Sequence, residues 1–259
     1  MELYPFAQVS RCPGPVTPCP PITYSQDTFK HRPISTIQFI KSPSHRITLP
    51  VADALGNDTP VVLEKSLAIL LFENIKQKLV FYRKLKHANP DQMRICPTPS
   101  ILVIECGPSS LKHALVGFEA PLFVNCGTPE ELISVIKGIP ENKTPSIGSC
   151  KLNTVVIENL SAFYWDKQRV PRGSAVQWYV EIGHWCGVLQ QKYGCNVVVT
   201  MWDKNFERGF NSRPVNELHP RKLDDLSYTP AELFAVASCI LAFRADGNLQ
   251  YVDSQWSGV

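Results

Sequence analysis

The run Val155-Val156-Ile157 ends abruptly in a carboxylate, Glu158. A short apolar run bounded by polar residues is the pattern of a strand buried on both faces, and such strands belong to parallel sheets covered by helices on either side. Ser100–Glu105 (S-I-L-V-I-E) repeats the pattern, again with an acid at its end. Asn196–Trp202 (N-V-V-V-T-M-W) gives a third buried strand and Pro121–Asn125 a fourth. Alternation of buried strands with amphipathic helices constrains the chain to an α/β fold with a mainly parallel sheet. Side chains at the C-terminal ends of such strands line the crevice where open α/β sheets hold ligands. Glu158 and Glu105 are therefore the first candidate functional residues.

An apolar strand ending in an acid is also the Walker B arrangement of P-loop NTPases, in which the acid helps to hold Mg²⁺. The residues that follow make the pattern more specific. Ile157-Glu158-Asn159-Leu160-Ser161-Ala162-Phe163-Tyr164-Trp165 resembles the Walker B segment of RecA-family recombinase paralogues. In the X-ray-repair cross-complementing branch that segment reads apolar-Asp-Ser-Leu-Ser-Ala-Phe-Tyr-Trp. The segment is also similar to that of the recombinase-like subunit of the fungal Shu complex, where the strand ends in Asp-Asn-Leu-Ser. This chain departs from both in having Glu158 in place of Asp. A looser likeness extends over about residues 60–255. The resemblance implies a RecA-like core, a mainly parallel sheet flanked by helices, over residues 46–259.

A working nucleotide site is not expected. Thr59-Pro60-Val61-Val62-Leu63-Glu64-Lys65-Ser66 can be laid on G-x-x-x-x-G-K-[ST], but only Lys65-Ser66 survives. Glycines let successive backbone N–H groups turn inward around phosphate. Thr59 and Glu64 replace them, Glu64 adds a repelling charge, and Pro60 lacks a donor. Val61–Leu63 reads as a strand leading into a helix, with Lys65 a helix-start lysine. In recombinases a glutamate that orients water follows the strand corresponding to Ser100–Glu105; here Cys106-Gly107-Pro108 follows. Lys65, Ser66 and Glu158 are accordingly expected to form a degenerate nucleotide site, with no catalytic residue and no cofactor.

Along the rest of the chain, Leu67–Lys86 has apolar residues at 67, 70, 71, 75, 79, 82 and 85, a helical spacing, with Glu73, Lys76, Lys78, Arg83 and Lys86 on its polar face. Ser109 caps a short helix through Val116. Thr128-Pro129-Glu130-Glu131 is a helix start, with Leu132, Ile133, Val135, Ile136 and Ile139 as the buried face. Ser174 caps a helix to about Tyr193, with Val176, Tyr179, Val180 and Val188 inward and Gly194 ending it. Thr200 reads as a phosphate-sensing group or, preferably, as an internally bonded strand threonine. Ile240–Arg244 and Leu249–Val252 flank Asp246-Gly247-Asn248 and form a C-terminal hairpin. Phe163, Tyr164, Trp165, Trp178 and Trp185 are either core residues or part of an interface.

Asp203–Ser227 is long, polar and aperiodic, and long loops of this kind are functional or disordered. It carries Lys204, Arg208, Arg213, Arg221 and Lys222, interleaved with Phe206 and Phe210. Asp203, Glu207, Glu217, Asp224 and Asp225 balance those charges over the whole segment. Loops at this place in RecA-like proteins face DNA, so the resemblance makes these seven basic and aromatic residues the candidate DNA contacts.

Composition sets the outer limits. The chain has 259 residues, 44% of them hydrophobic, enough for one α/β domain with a tail. A net charge of +3 neither requires nor excludes nucleic acid. Pro5, Pro13, Pro15, Pro18, Pro20, Pro21, Pro33 and Pro43 punctuate residues 1–45, which reads as a largely disordered arm with a short strand possible at 34–40. Nine cysteines without a C-x-x-C pair give no zinc spacing and suggest reduced thiols in an intracellular protein. No apolar stretch is long enough to span a membrane. Taken with the resemblance, the expectation is a non-catalytic nuclear subunit of homologous-recombination repair. It would bind DNA, pair with another RecA-like paralogue, support a recombinase filament and, in the Shu-like form, meet a SWIM-domain zinc protein. An atypical DNA-dependent ATPase and a protein scaffold without DNA contact are the alternatives.

Overall fold

The computed structural model describes residues 38–41, 46–49, 61–88, 101–107, 122–141, 149–204, 227, 229–243 and 249–252, all within the unit Pro33–Val259. Its strands in chain order are β1 (Gln38–Lys41), β2 (Arg46–Leu49), β3 (Val61–Glu64), β4 (Leu67–Phe72), β5 (Ile101–Cys106), β6 (Leu122–Cys126), β7 (Ser149–Leu152), β8 (Thr154–Glu158), β9 (Asn196–Trp202), β10 (Cys239–Phe243) and β11 (Leu249–Val252). The helices are α1 (Ile75–Ala88), α2 (Pro129–Glu141), α3 (Tyr164–Gln168), α4 (Arg172–Tyr193) and α5 (Ala231–Ala235), with a 3₁₀ turn at Leu160–Phe163 before α3. Apart from β1, the arm expected over 1–45 lies outside the described residues, as does the helix expected over 109–116.

Seven strands form the main sheet in the order β11-β10-β4-β9-β8-β5-β6. The first six from the other end, β6 to β10, are parallel, and β11 closes the edge as the antiparallel partner of β10. Burial on both faces follows from the apolar runs: every residue of β4, β5 and β8 is buried. Leu67, Ile69, Leu71, Ile104, Ile157 and Val199 face one core, covered by α2, α4 and α5. Ala68, Leu70, Phe72, Val103, Val156 and Val198 face the other, covered by α1 and the β2–β3 pair. β1 pairs with β7 in a separate two-stranded sheet.

The helix start at 128 forms as expected. Thr128 Oγ1 accepts from the Glu131 amide (3.2 Å), while Glu131 Oε2 accepts from the Gly127 and Thr128 amides (2.7 and 3.3 Å), a reciprocal cap. Leu132, Ile136 and Ile139 are buried in α2. α4 ends at Gly194, whose φ of 63° suits glycine. Its start and face differ from expectation. The helix begins at Arg172, not Ser174, and buries Ala175, Trp178, Tyr179, Ile182, Cys186 and Leu189, whereas Val180 is exposed. Of the aromatics in question, Phe163, Tyr164 and Trp178 are core residues.

The largest departure lies at 67–72. The spacing predicts one helix from Leu67 to Lys86; the chain instead forms β4, a two-residue connection, then α1. L-A-I-L-L-F suits either state by local preference, and the position between β9 and β10, buried on both faces, decides for a strand. Lys65 therefore starts no helix. It sits with φ 50° in the turn from β3 to β4.

Candidate functional site

Glu158 ends the β8 strand, and Glu105 lies beside it in register on β5. In-register neighbours on parallel strands share a face, so both point toward α1. Both are buried, to 1% and 3% relative exposure. A buried carboxylate is tolerable only when paired and hydrogen-bonded, and Glu158 is both. One oxygen, Oε1, forms an ion pair with Lys78 of α1, and the other, Oε2, accepts from Tyr82 and Thr200. The Lys78 ammonium also lies 4.1 Å from the centre of the Trp202 ring, a cation–π contact. Lys78 is 3% exposed. Burial, followed by the Glu158 charge, raises the Tyr82 hydroxyl well above its ordinary pKa, so it stays a donor to the carboxylate.

Local sequence places each part. Asn74 accepts from the Gln77 amide (3.0 Å) and caps α1, which starts two residues after β4. Lys78, Phe81, Tyr82 and Leu85 then follow at helical spacing on the face turned to the sheet, and all four are buried. Asn159 turns the chain with φ 62° and ψ 48°, a left-handed conformation that asparagine tolerates. Its amide donates to Thr200 Oγ1 (2.9 Å) and its Nδ2 to the Cys106 carbonyl (3.5 Å). Thr200 is thus an internally bonded strand threonine. Gly107 has φ 78°, and a Cβ there would lie 2.9 Å from that of Ala162. The turn after β5 thus packs directly on the turn after β8.

Lys65 and Ser66 are not brought to Glu158. They precede β4 and flank the N-terminal ends of the strands: the Ser66 amide donates to Asn196 Oδ1 (3.1 Å), its carbonyl accepts from Val197 (2.9 Å), and the Lys65 carbonyl accepts from Gln190 (3.2 Å). Six residues of strand, roughly 20 Å at 3.3 Å each, separate the two ends. The sequence match to a phosphate loop falls at the wrong end of the strand. The connection that leaves the ligand end of β4 is Glu73-Asn74, and no glycine is in it. Lys78, read from sequence as part of the polar face, is the residue the site is built on. The 78-81-82-85 stripe is the signal that locates it, once the helix is begun at 75.

Among the candidate DNA contacts, Lys204 is half-buried at the end of the described stretch, two residues beyond β9. Arg208, Arg213, Arg221, Lys222, Phe206 and Phe210 lie outside the described residues. Among the described residues no group of three or more His, Cys, Asp or Glu side chains is placed to hold a metal, and no helix is long and apolar enough to cross a membrane.

Six parallel strands with helices on both faces, and acids side by side at the C-terminal ends of two neighbouring central strands, Glu158 last and Glu105 next to last, make a RecA-like core whose ligand-end carboxylate is met by the protein's own lysine. Residues 126–244 match the family model of the Shu complex component Psy3, which carries a DNA-binding description. The match bears out the resemblance to the recombinase-like subunit of the Shu complex. It takes in Glu158, Thr200 and the whole 203–227 segment, and leaves Lys78 and Tyr82 outside. No curated protein matches the chain.

Proposed function

We propose that the chain is a non-catalytic recombinase-paralogue subunit of homologous-recombination repair. It acts in the nucleus, binds DNA through the 203–227 segment, and supports assembly of a recombinase filament together with another RecA-like paralogue and a SWIM-domain zinc protein. The match to a Shu complex component supports the recombination role and the presence of partner subunits. The engagement of Glu158 carries the non-catalytic part. Both its oxygens are committed to Lys78, Tyr82 and Thr200, and the two-residue β4–α1 connection offers no phosphate cradle. The alternative of an atypical ATPase loses its support, because Lys65 and Ser66 stand at the far end of the sheet.

Lys204, Arg208, Arg213, Arg221 and Lys222 are assigned to phosphates, and Phe206 or Phe210 to stacking on an unpaired base, a contact worth ~1–3 kcal/mol. The segment leaves the C-terminal end of β9, the ligand side of an open α/β sheet. The test is a salt titration of single-stranded and gapped DNA binding by the chain with its co-purifying partners, beside an ATP titration. Arg208→Glu with Arg213→Glu weakens binding and flattens the salt slope by about 0.7–0.9 per lost contact, and ATP binds no tighter than millimolar. Equal affinity and slope for wild type and double reversal would leave a protein scaffold as the better reading. Micromolar ATP affinity would restore the ATPase.

A further inference from the structure

What fixes the end of β9 differs from what fixes its beginning. The β8–β9 pairing runs from Thr154↔Asn196 to Ile157↔Val199 and stops there. Beyond Val199 the contacts toward the β8 side are made by side chains. Thr200 donates to Glu158 and accepts from the Asn159 amide, and the Trp202 amide donates to Ser161 Oγ at 2.7 Å. On the other side the ladder with β4 continues to Phe72↔Trp202, and the Asp203 amide donates to the Phe72 carbonyl at 3.1 Å. Glu158 is the hub on the β8 side, and a buried carboxylate acts as a hub only while its charge is met. Lys78 meets it and also caps the Trp202 ring at 4.1 Å.

We propose that Lys78 is a positioning residue: by neutralising Glu158 it holds Thr200–Asp203 in one place, so the segment that follows leaves the sheet from a fixed root with no bound nucleotide. Lys78 itself touches no DNA. The consequence for DNA rests on the reading of the 203–227 segment given above; the consequence for the root does not. Without the ammonium the buried Glu158 carboxylate has no counter-charge in its site, and its rearrangement loosens Thr200 and Asn159. The start of β9 is insulated. There the Asn196 amide donates to the Asn153 carbonyl (2.7 Å) and the Val197 amide to that of Ser66 (2.9 Å), bonds without any link to Glu158.

The test is amide hydrogen exchange on the full chain, wild type against Lys78→Met, which keeps the length of the stem and removes the charge. Exchange at Asn159, Trp202 and Asp203 rises about tenfold or more, while Asn196 and Val197 keep their protection, because opening is local. Lys78→Met combined with Glu158→Gln, a neutral pair, restores most of the protection. Tyr82→Phe, which removes one donor to the same carboxylate, is the milder variant and gives a smaller gradient of the same sense. In DNA binding, Lys78→Met lowers affinity about tenfold with an unchanged salt slope, since no phosphate contact is lost, and the neutral pair recovers it. An equal rise at both ends of β9, or none at all, overturns the proposal. A gradient in exchange without DNA binding by any form supports the root and defeats the DNA reading of the segment.

Discussion

Thr200→Val changes the polarity of one buried side chain and almost nothing of its shape. Thr200 is fully buried, so no solvent steps in for the lost hydroxyl. Two hydrogen bonds go. The bond to Glu158 has a charged acceptor, and such bonds contribute about 1.5–3 kcal/mol. The bond from the Asn159 amide, 2.9 Å long, leaves a part-buried N–H without that acceptor at about 1–3 kcal/mol. Valine fills the same volume, so no cavity cost is added. The expected loss is about 2.5–6 kcal/mol, and at about 2–4 °C per kcal/mol for a chain of this size Tm falls by roughly 5–24 °C. Thr200→Ser keeps both bonds and loses one methyl, about 1 kcal/mol. Urea and thermal unfolding of the three forms read the difference. A valine variant within 1 kcal/mol of wild type, or a serine variant as damaged as the valine one, would show that Thr200 is a packing residue and not part of the carboxylate's support.

Alkaline pH should unfold the chain steeply. Burial pushes Cys126, Cys186 and Cys195 from 9.0 up to about 12, and raises Cys106 and Tyr82 well above their ordinary values. Groups held protonated in the fold contribute stability that is complete below the unfolded pKa and lost as pH rises toward the folded one. Each therefore costs about 1.4 kcal/mol per pH unit above roughly 9. The three thiols alone take away about 4 kcal/mol by pH 10, and a urea midpoint that stays flat from pH 8 to 10.5 would refute this. Gly107→Ala combines φ 78° with a Cβ 2.9 Å from that of Ala162, and should cost about 2–4 kcal/mol by the same unfolding assays; a neutral result would mean the turn after β5 moves freely.

Much of the architecture was readable because burial on both faces leaves a strong mark. Ile101–Ile104, Val155–Ile157 and Val197–Val199 are continuous apolar runs, and each lies in a central strand. Thr128–Glu131 carried its own capping chemistry. Leu67–Phe72 misled because leucine and alanine accept a helix as readily as a strand, and its spacing ran on into the true helix. With the helix begun at 67, Lys65 reads as a helix-start lysine and Lys78 falls on the polar face. Val180 is exposed because the buried face of α4 runs through Trp178, Ile182 and Leu189, and valine at 180 falls outside that stripe. Glu158 was found because a charge at the end of an apolar run is visible in one dimension. Its counter-charge was not, because pairing across 80 residues is a matter of how α1 lies on the sheet.

The lysine that meets Glu158 has a consequence for timing. A crevice that takes and releases a small molecule gives a protein a clock, since each exchange moves it between states. Here the counter-ion is covalently part of the chain and is never exchanged. The end of the sheet then has one resting condition, set by Lys78 itself. A change of state at this end of the sheet has to be driven from outside that crevice.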